Sequence, residues 1–204
     1  MNKTNTVIAI CSPSGGGKTS LIHMLSDLIE DSVTIHFDDY GDPFWNISDF
    51  DEWIKQGADL NKVNTRRLAE DLESLKNGKS IISPKNQKVV EPEKYILFDS
   101  LVGRAQSESG ALIDFLVYID VPLELALSRR ILRMLDETQD DNQKVNILHE
   151  YIKAYSGLAG PRQIYKAIEN QVKPLSDLIL DGETTIKTSA ENLMADLRKS
   201  RIIL

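Results

Sequence analysis

Residues Ser12-Pro13-Ser14-Gly15-Gly16-Gly17-Lys18-Thr19 constrain the fold more than any other stretch of the chain. They follow the apolar run Val7-Ile8-Ala9-Ile10 and precede a helical pattern. Strand, glycine-rich turn and helix in that order form the context of a phosphate-binding loop. Consecutive glycines let backbone N–H groups turn inward and approach an anion without interference from Cβ atoms. The helix that follows adds its positive N-terminal end. In the pattern G-x-x-x-x-G-K-S/T, Gly17, Lys18 and Thr19 match, and Ser12 stands in place of the first glycine. Ser14, Gly15, Gly16, Gly17, Lys18, Thr19 and Ser20 are therefore the candidate nucleotide-binding residues. Lys18 would reach the β- and γ-phosphates, and the Thr19 hydroxyl would hold Mg²⁺.

A parallel sheet explains the remaining pattern. Thr6 to Ile10, Val33 to Phe37, Lys94 to Phe98, Phe115 to Ile119 and Leu178 to Leu180 read as strands, and Lys79 to Ser83 as a short one. Helical patterns lie between them. Leu21, Ile22, Leu25, Leu28 and Ile29 form one apolar stripe over a helix from Gly17 to about Ile29. Ser48 to Gly57, Asn64 to Lys76, Val145 to Tyr155 and Gln163 to Val172 read as further helices. Leu123, Leu127, Ile131 and Leu135 recur every four residues along a long one that starts with Pro122 in its first turn. A last helix covers Ser189 to about Ser200, with Ser189 as its N-cap. Pro84 to Pro92 reads as a polar loop, and Asp136 to Gln143 as an acidic, mobile segment. Alternating strands and helices predict an α/β three-layer fold, a five-stranded parallel sheet with helices on both faces. At 204 residues the chain is one domain over 1–204, with a mobile lid at about 129–150.

The net charge of −7 argues against nucleic-acid and anionic-membrane partners, and no apolar run approaches a membrane span. The single cysteine, Cys11, excludes an internal disulfide and fits a reducing, cytoplasmic setting; it reads as a small buried filler. The start of the chain runs into a strand and does not read as a secretory signal.

Ligands of parallel sheets bind at the carboxyl ends of the strands. The loop, Asp38-Asp39 and Asp99 all fall at such ends and should converge on one crevice. Phosphoryl transfer needs positioning, charge neutralisation and an oriented nucleophile. Asp38 is the candidate base for an acceptor hydroxyl, with Asp39 as the other member of its pair, and Asp99 is the candidate Mg²⁺ ligand beside Thr19 and Asp38. Arg129, Arg130 and Arg133 share the long helix; Arg130 and Arg133 are the chosen charge stabilisers. Arg104 is a candidate phosphate or substrate contact, and Tyr40 a substrate contact. Phe44, Trp45 and Trp53 form either an acceptor-pocket wall or core. Asn61-Lys62-Val63-Asn64 has the look of a guanine-binding motif but lacks its aspartate.

Together these residues resemble the uridine kinase-like branch of the P-loop small-molecule kinases. The likeness rests on the loop, on Ile35-His36-Phe37-Asp38-Asp39-Tyr40, on the strand ending Asp99-Ser100, and on the arginine-bearing helix Leu127 to Arg133. The resemblance implies ATP- and Mg²⁺-dependent phosphorylation of a hydroxyl on a small nucleoside- or sugar-like molecule. The tyrosine-aspartate and histidine-arginine stretch with which uridine kinases grip the nucleoside has no counterpart in Lys79 to Lys94. A nucleotide-binding regulator with little transfer activity is the alternative.

Overall fold

The computed structural model describes residues 4–44, 46–158 and 160–203. The chain alternates strand and helix: β1 (Thr6–Cys11), α1 (Lys18–Leu28), β2 (Ser32–His36), α2 (Phe50–Lys55), α3 (Arg66–Lys76), β3 (Ile81–Ile82), β4 (Val89–Val90), β5 (Tyr95–Ser100), α4 (Ser107–Gly110), β6 (Phe115–Asp120), α5 (Leu123–Glu137), α6 (Asp141–Ser156), α7 (Pro161–Val172), β7 (Leu178–Asp181) and α8 (Ile186–Lys199). Five strands form one sheet in the order β2-β5-β1-β6-β7, with every pairing parallel. The three-layer reading is correct.

Strand periodicity makes the layers. Side chains alternate between faces, so Val7, Ala9 and Cys11 of β1 enter one core while Ile8 and Ile10 enter the other. On the first face lie Leu68, Leu72 and Leu75 of α3, Trp53 of α2, and Ile168 and Val172 of α7. On the second lie Leu21, Ile22 and Leu25 of α1 and Ala190, Leu193 and Leu197 of α8. Each fully buried leucine in these layers is worth roughly 1.5–3 kcal/mol of burial. Burial on both faces is also why β1, β5 and β6 read as unbroken apolar runs.

Three local expectations differ. Leu28 is half exposed, because the helix stops there and Ile29 turns extended, carrying its own side chain into the core. The short strand expected within Lys79 to Ser83 is present as β3, but Pro84 to Pro92 is not only loop: it carries β4, and the two form a hairpin. Ile81–Ile82 pairs antiparallel with Val89–Val90, and the Ser83 N–H donates to the Lys88 carbonyl across the turn at 2.9 Å. The last helix starts three residues before Ser189. Thr185 is its N-cap, accepting from the Thr188 N–H, while Ser189 is buried within it. The acidic stretch is mostly helical, broken only between α5 and α6 at 138–140. No described helix is long and apolar enough to cross a membrane.

Arg104 corrects the expectation of a ligand contact. Its guanidinium donates to the carbonyls of Leu175, Ile113 and Asp114 and pairs with Asp177 at 2.8 Å. These partners lie just before β6 and β7, at the sheet edge opposite the phosphate loop. Asp177 itself accepts from the Leu116 N–H at 2.7 Å. A guanidinium offers five donors in a fixed fork, and here that fork ties two strand entries together. Arg104→Ala is expected to lower unfolding stability by about 1–3 kcal/mol, towards the lower end because the site is partly solvated. Nucleotide-induced thermal shifts should stay unchanged.

Candidate active site

The loop after β1 is shaped by close contacts. Gly15 has φ +87°, and a Cβ there would run into the Ala126 carbonyl in the first turns of α5. A Cβ on Gly16 would meet the Ser12 hydroxyl. Ser12 is fully buried and donates to the Pro13 carbonyl at 3.0 Å. The serine that replaces the motif's first glycine thus fills the space that Gly16 leaves free. Gly15→Ala should combine left-handed strain with overpacking and cost about 1–3 kcal/mol. Chemical denaturation measures that loss, and the nucleotide-induced rise in melting temperature should vanish with it.

At the start of α1 no side chain caps the helix and no acid occupies the first turn. Its N–H groups and positive end are left for an external anion. Lys18 Nζ donates to the Ser12 carbonyl at 3.1 Å and lies 3.9 Å from Asp99 Oδ1. Thr19 Oγ1 donates to Asp99 Oδ2 at 3.0 Å. The two come together because β1 and β5 pair in register, with Cys11 opposite Ser100. Burial pushes the Asp99 carboxyl up, but His36, Lys18 and the Thr19 hydroxyl outweigh it and hold it below the usual carboxylate range. His36 Nδ1 stands 3.7 Å from Asp99 Oδ2, and the carboxylate raises the imidazole pKa in turn. A threonine hydroxyl and a largely buried carboxylate are hard oxygen donors that suit Mg²⁺. Among the described residues no group of three or more His, Cys, Asp or Glu could hold a metal together. Mg²⁺ is commonly held by one or two protein oxygens plus phosphate and water, so this sparse set fits it.

A crevice of about 470 Å³ opens over the loop. Ser14 through Leu21 form its floor, and Asp38 and Asp99 enter from the ends of β2 and β5. Arg129 and Arg133 reach it from α5. Gly182, Thr184, Thr185, Ile186 and Ser189 close the far side. Every residue expected in the nucleotide and metal sets therefore lines one crevice.

Other expected residues lie elsewhere. Arg130 does not line the crevice. Residues four apart share a helix face, whereas adjacent ones are turned by about 100°. Arg129 and Arg133 thus face inward together, and Arg129 also donates to the Gly182 carbonyl at 3.1 Å. Arg130 instead lies near the Tyr165 hydroxyl, which burial and Tyr151 push up to about 12 against the pull of Ser14 and Arg130. Asp39 pairs with Lys85 of the hairpin at 3.1 Å. Tyr40 is corrected as a substrate contact: its hydroxyl is buried and faces Asp71. Phe44, Phe50 and Trp53 pack together with ring centroids 5.5–5.8 Å apart, and Trp53 is buried, so they are core. Trp45 lies outside the described residues. Asn61 accepts from the Ser107 N–H and does not line the crevice. Cys11 is a buried filler whose thiol burial pushes up to about 12.

Two features escaped the sequence reading. His36 is the register partner of Asp99, which only the strand order reveals. The Gly182–Ile186 wall follows β7, and the rule that ligands gather at carboxyl ends applies there as well.

Sheet order, glycine loop and uncapped α1 define a P-loop NTPase fold with a phosphate site. No protein-family model matches the chain. A uridine kinase from Macrococcus caseolyticus is 30% identical over 149 residues, covering 67% of this chain and 72% of that one. A uridine kinase from Borrelia hermsii is 24% identical over 186 residues and 85% of each chain. Among solved structures, a shikimate kinase from Acinetobacter baumannii in complex with shikimate superposes with a TM-score of 0.53 at 14% identity, over 98% of this chain and 97% of that one. The chain belongs to the uridine kinase-like branch of the P-loop small-molecule kinases.

Proposed function

We propose that the chain transfers the γ-phosphoryl group of MgATP to a hydroxyl of a small nucleoside- or sugar-like molecule. One observation carries this reading: Asp38 and Asp99 line the same crevice as Lys18 and Thr19, although they stand on separate strands. In the proposed reaction the loop N–H groups cradle the phosphates, and Lys18 neutralises charge on the β- and γ-phosphates. Thr19 and Asp99 would hold Mg²⁺, with Asp38 beside them, and the ion would neutralise phosphate charge. Asp38 accepts the acceptor's hydroxyl proton. The hydroxyl oxygen then bonds to the γ-phosphorus as the bond to the ADP oxygen breaks, leaving ADP and a phosphomonoester. Arg129 and Arg133 stabilise charge on the transferring group. Arg130 is a second-choice contributor, since it lies one residue off the inward face. A cytoplasmic setting is part of the proposal and rests on the single free, buried thiol of Cys11.

A panel of nucleosides, sugars and pantothenate-like alcohols incubated with MgATP tests this reading. The expected result is ADP release accelerated by at least one acceptor class. If ATP raises the melting temperature while no acceptor accelerates ADP release, the chain is a nucleotide-binding regulator instead.

A further inference from the structure

Three buried side-chain atoms have no hydrogen-bond partner among the described residues: Tyr40 Oη, Thr65 Oγ1 and Asp71 Oδ2. Such orphans normally carry the full desolvation penalty of a polar group. Two of them meet at one cavity, and the third stands behind the tyrosine. The Tyr40 hydroxyl faces Asp71. Tyr40 and Thr65 line one small cavity with Phe37 and Arg67, and Arg67 Nε lies 3.6 Å from Asp71 Oδ2.

The unpartnered Thr65 hydroxyl stands at a helix start. Thr65 is the N-cap residue of α3, where threonine ordinarily turns its hydroxyl onto the N2 or N3 amide. It makes no capping bond, is 2% exposed, and lines the cavity. The cavity measures about 20 Å³, which exceeds the roughly 10–15 Å³ that one water needs. It is too small for a larger ligand. The donor set also fits water: both hydroxyls can donate or accept, and the Tyr40 hydroxyl can turn its proton to Asp71 while accepting from the water. A buried water makes two to four hydrogen bonds, and these two hydroxyls supply two.

The cavity sits under the turn that carries Asp38. Phe37–Tyr40 is a 3₁₀ turn, and with three residues per turn Phe37 and Tyr40 share a face. Phe37 is buried in the core and Asp38 is left facing the crevice. Phe37 and, in part, Tyr40 pack the turn onto the core, and beyond them it is tied down by the Asp39–Lys85 pair, whose lysine side chain is 64% exposed. Such a pair holds weakly. We propose that Tyr40 and Thr65 bind one ordered water in this cavity, with Asp71 behind the Tyr40 hydroxyl, and that this network makes them positioning residues for Asp38. The role of Asp38 rests on the function proposed above; the water site does not.

A crystal structure of the full chain that resolves waters tests the site. One water within hydrogen-bond distance of Tyr40 Oη and Thr65 Oγ1 is expected. A dry cavity, or the Tyr40 and Thr65 hydroxyls bonded directly to each other, overturns it. Amide hydrogen exchange tests the positioning. In Tyr40→Phe and Thr65→Val, exchange over residues 37–41 should rise by about tenfold or more while α1 stays unchanged. Thr65→Ser, which keeps the hydroxyl, should exchange like the unmodified chain. No rise over 37–41, or an equal rise in α1, overturns positioning. The crystal structure needs no substitution, so a variant that fails to fold leaves it decisive. Turnover retained in Asp38→Asn would defeat the base assignment and leave both results standing.

Discussion

Asp38→Asn is expected to lower acceptor-dependent turnover by about 10²–10⁴-fold, the range over which a positioned general base usually contributes. Nucleotide binding should hardly change. Asp38 lines the crevice, but the loop, Lys18 and Thr19 make the phosphate-facing contacts in this account, and asparagine keeps the shape of the side chain. The expected signature is therefore a fall in kcat with KM for MgATP within about twofold, the pattern of an interaction made only in the transition state. Stability should be unaffected, since the side chain is exposed. Retained turnover would remove Asp38 from the mechanism, and Asp39 would then be tested in its place after its Lys85 partner is removed.

Lys18→Ala should abolish measurable transfer. Removing one preorganised stabiliser of developing charge typically costs on the order of 10²–10³-fold, and here ground-state phosphate binding is lost as well. The fold should survive. The lysine makes one hydrogen bond, to the Ser12 carbonyl, and a 3.9 Å approach to Asp99. Its loss leaves Asp99 with the Thr19 hydroxyl at 3.0 Å and with His36. Circular dichroism should match the unmodified chain, whereas MgATP should no longer raise the melting temperature. A variant that still turns over at an appreciable rate would contradict the phosphate role of the loop.

The loop was legible in sequence because its chemistry is local. Strand, glycines, lysine and threonine occupy consecutive positions, and the three-layer fold follows from the two-sided burial of β1, β5 and β6. The convergence of Asp38 and Asp99 was legible through one rule about strand ends. Arg104 was misread because its partners, Asp177 and the carbonyls of Ile113, Asp114 and Leu175, are brought together by the entries to β6 and β7. Tyr40 was misread for a related reason. A 3₁₀ turn places it on the face of Phe37, and periodicity over four residues does not distinguish that turn from a loop. The choice of Arg130 over Arg129 failed by one position, because face-sharing of residues 129 and 133 does not say which face is inward. Ser12 weakened the motif only on paper. Its hydroxyl occupies the room left by Gly16, a compensation between positions that no pattern records.

The most direct test of the central claim is ³¹P NMR of the unmodified chain with MgATP and the acceptor panel. The account predicts equal amounts of ADP and a new phosphomonoester from at least one hydroxyl compound, and neither from Lys18→Ala. ADP with inorganic phosphate alone, or ATP left intact beside every acceptor while still raising the melting temperature, would contradict it.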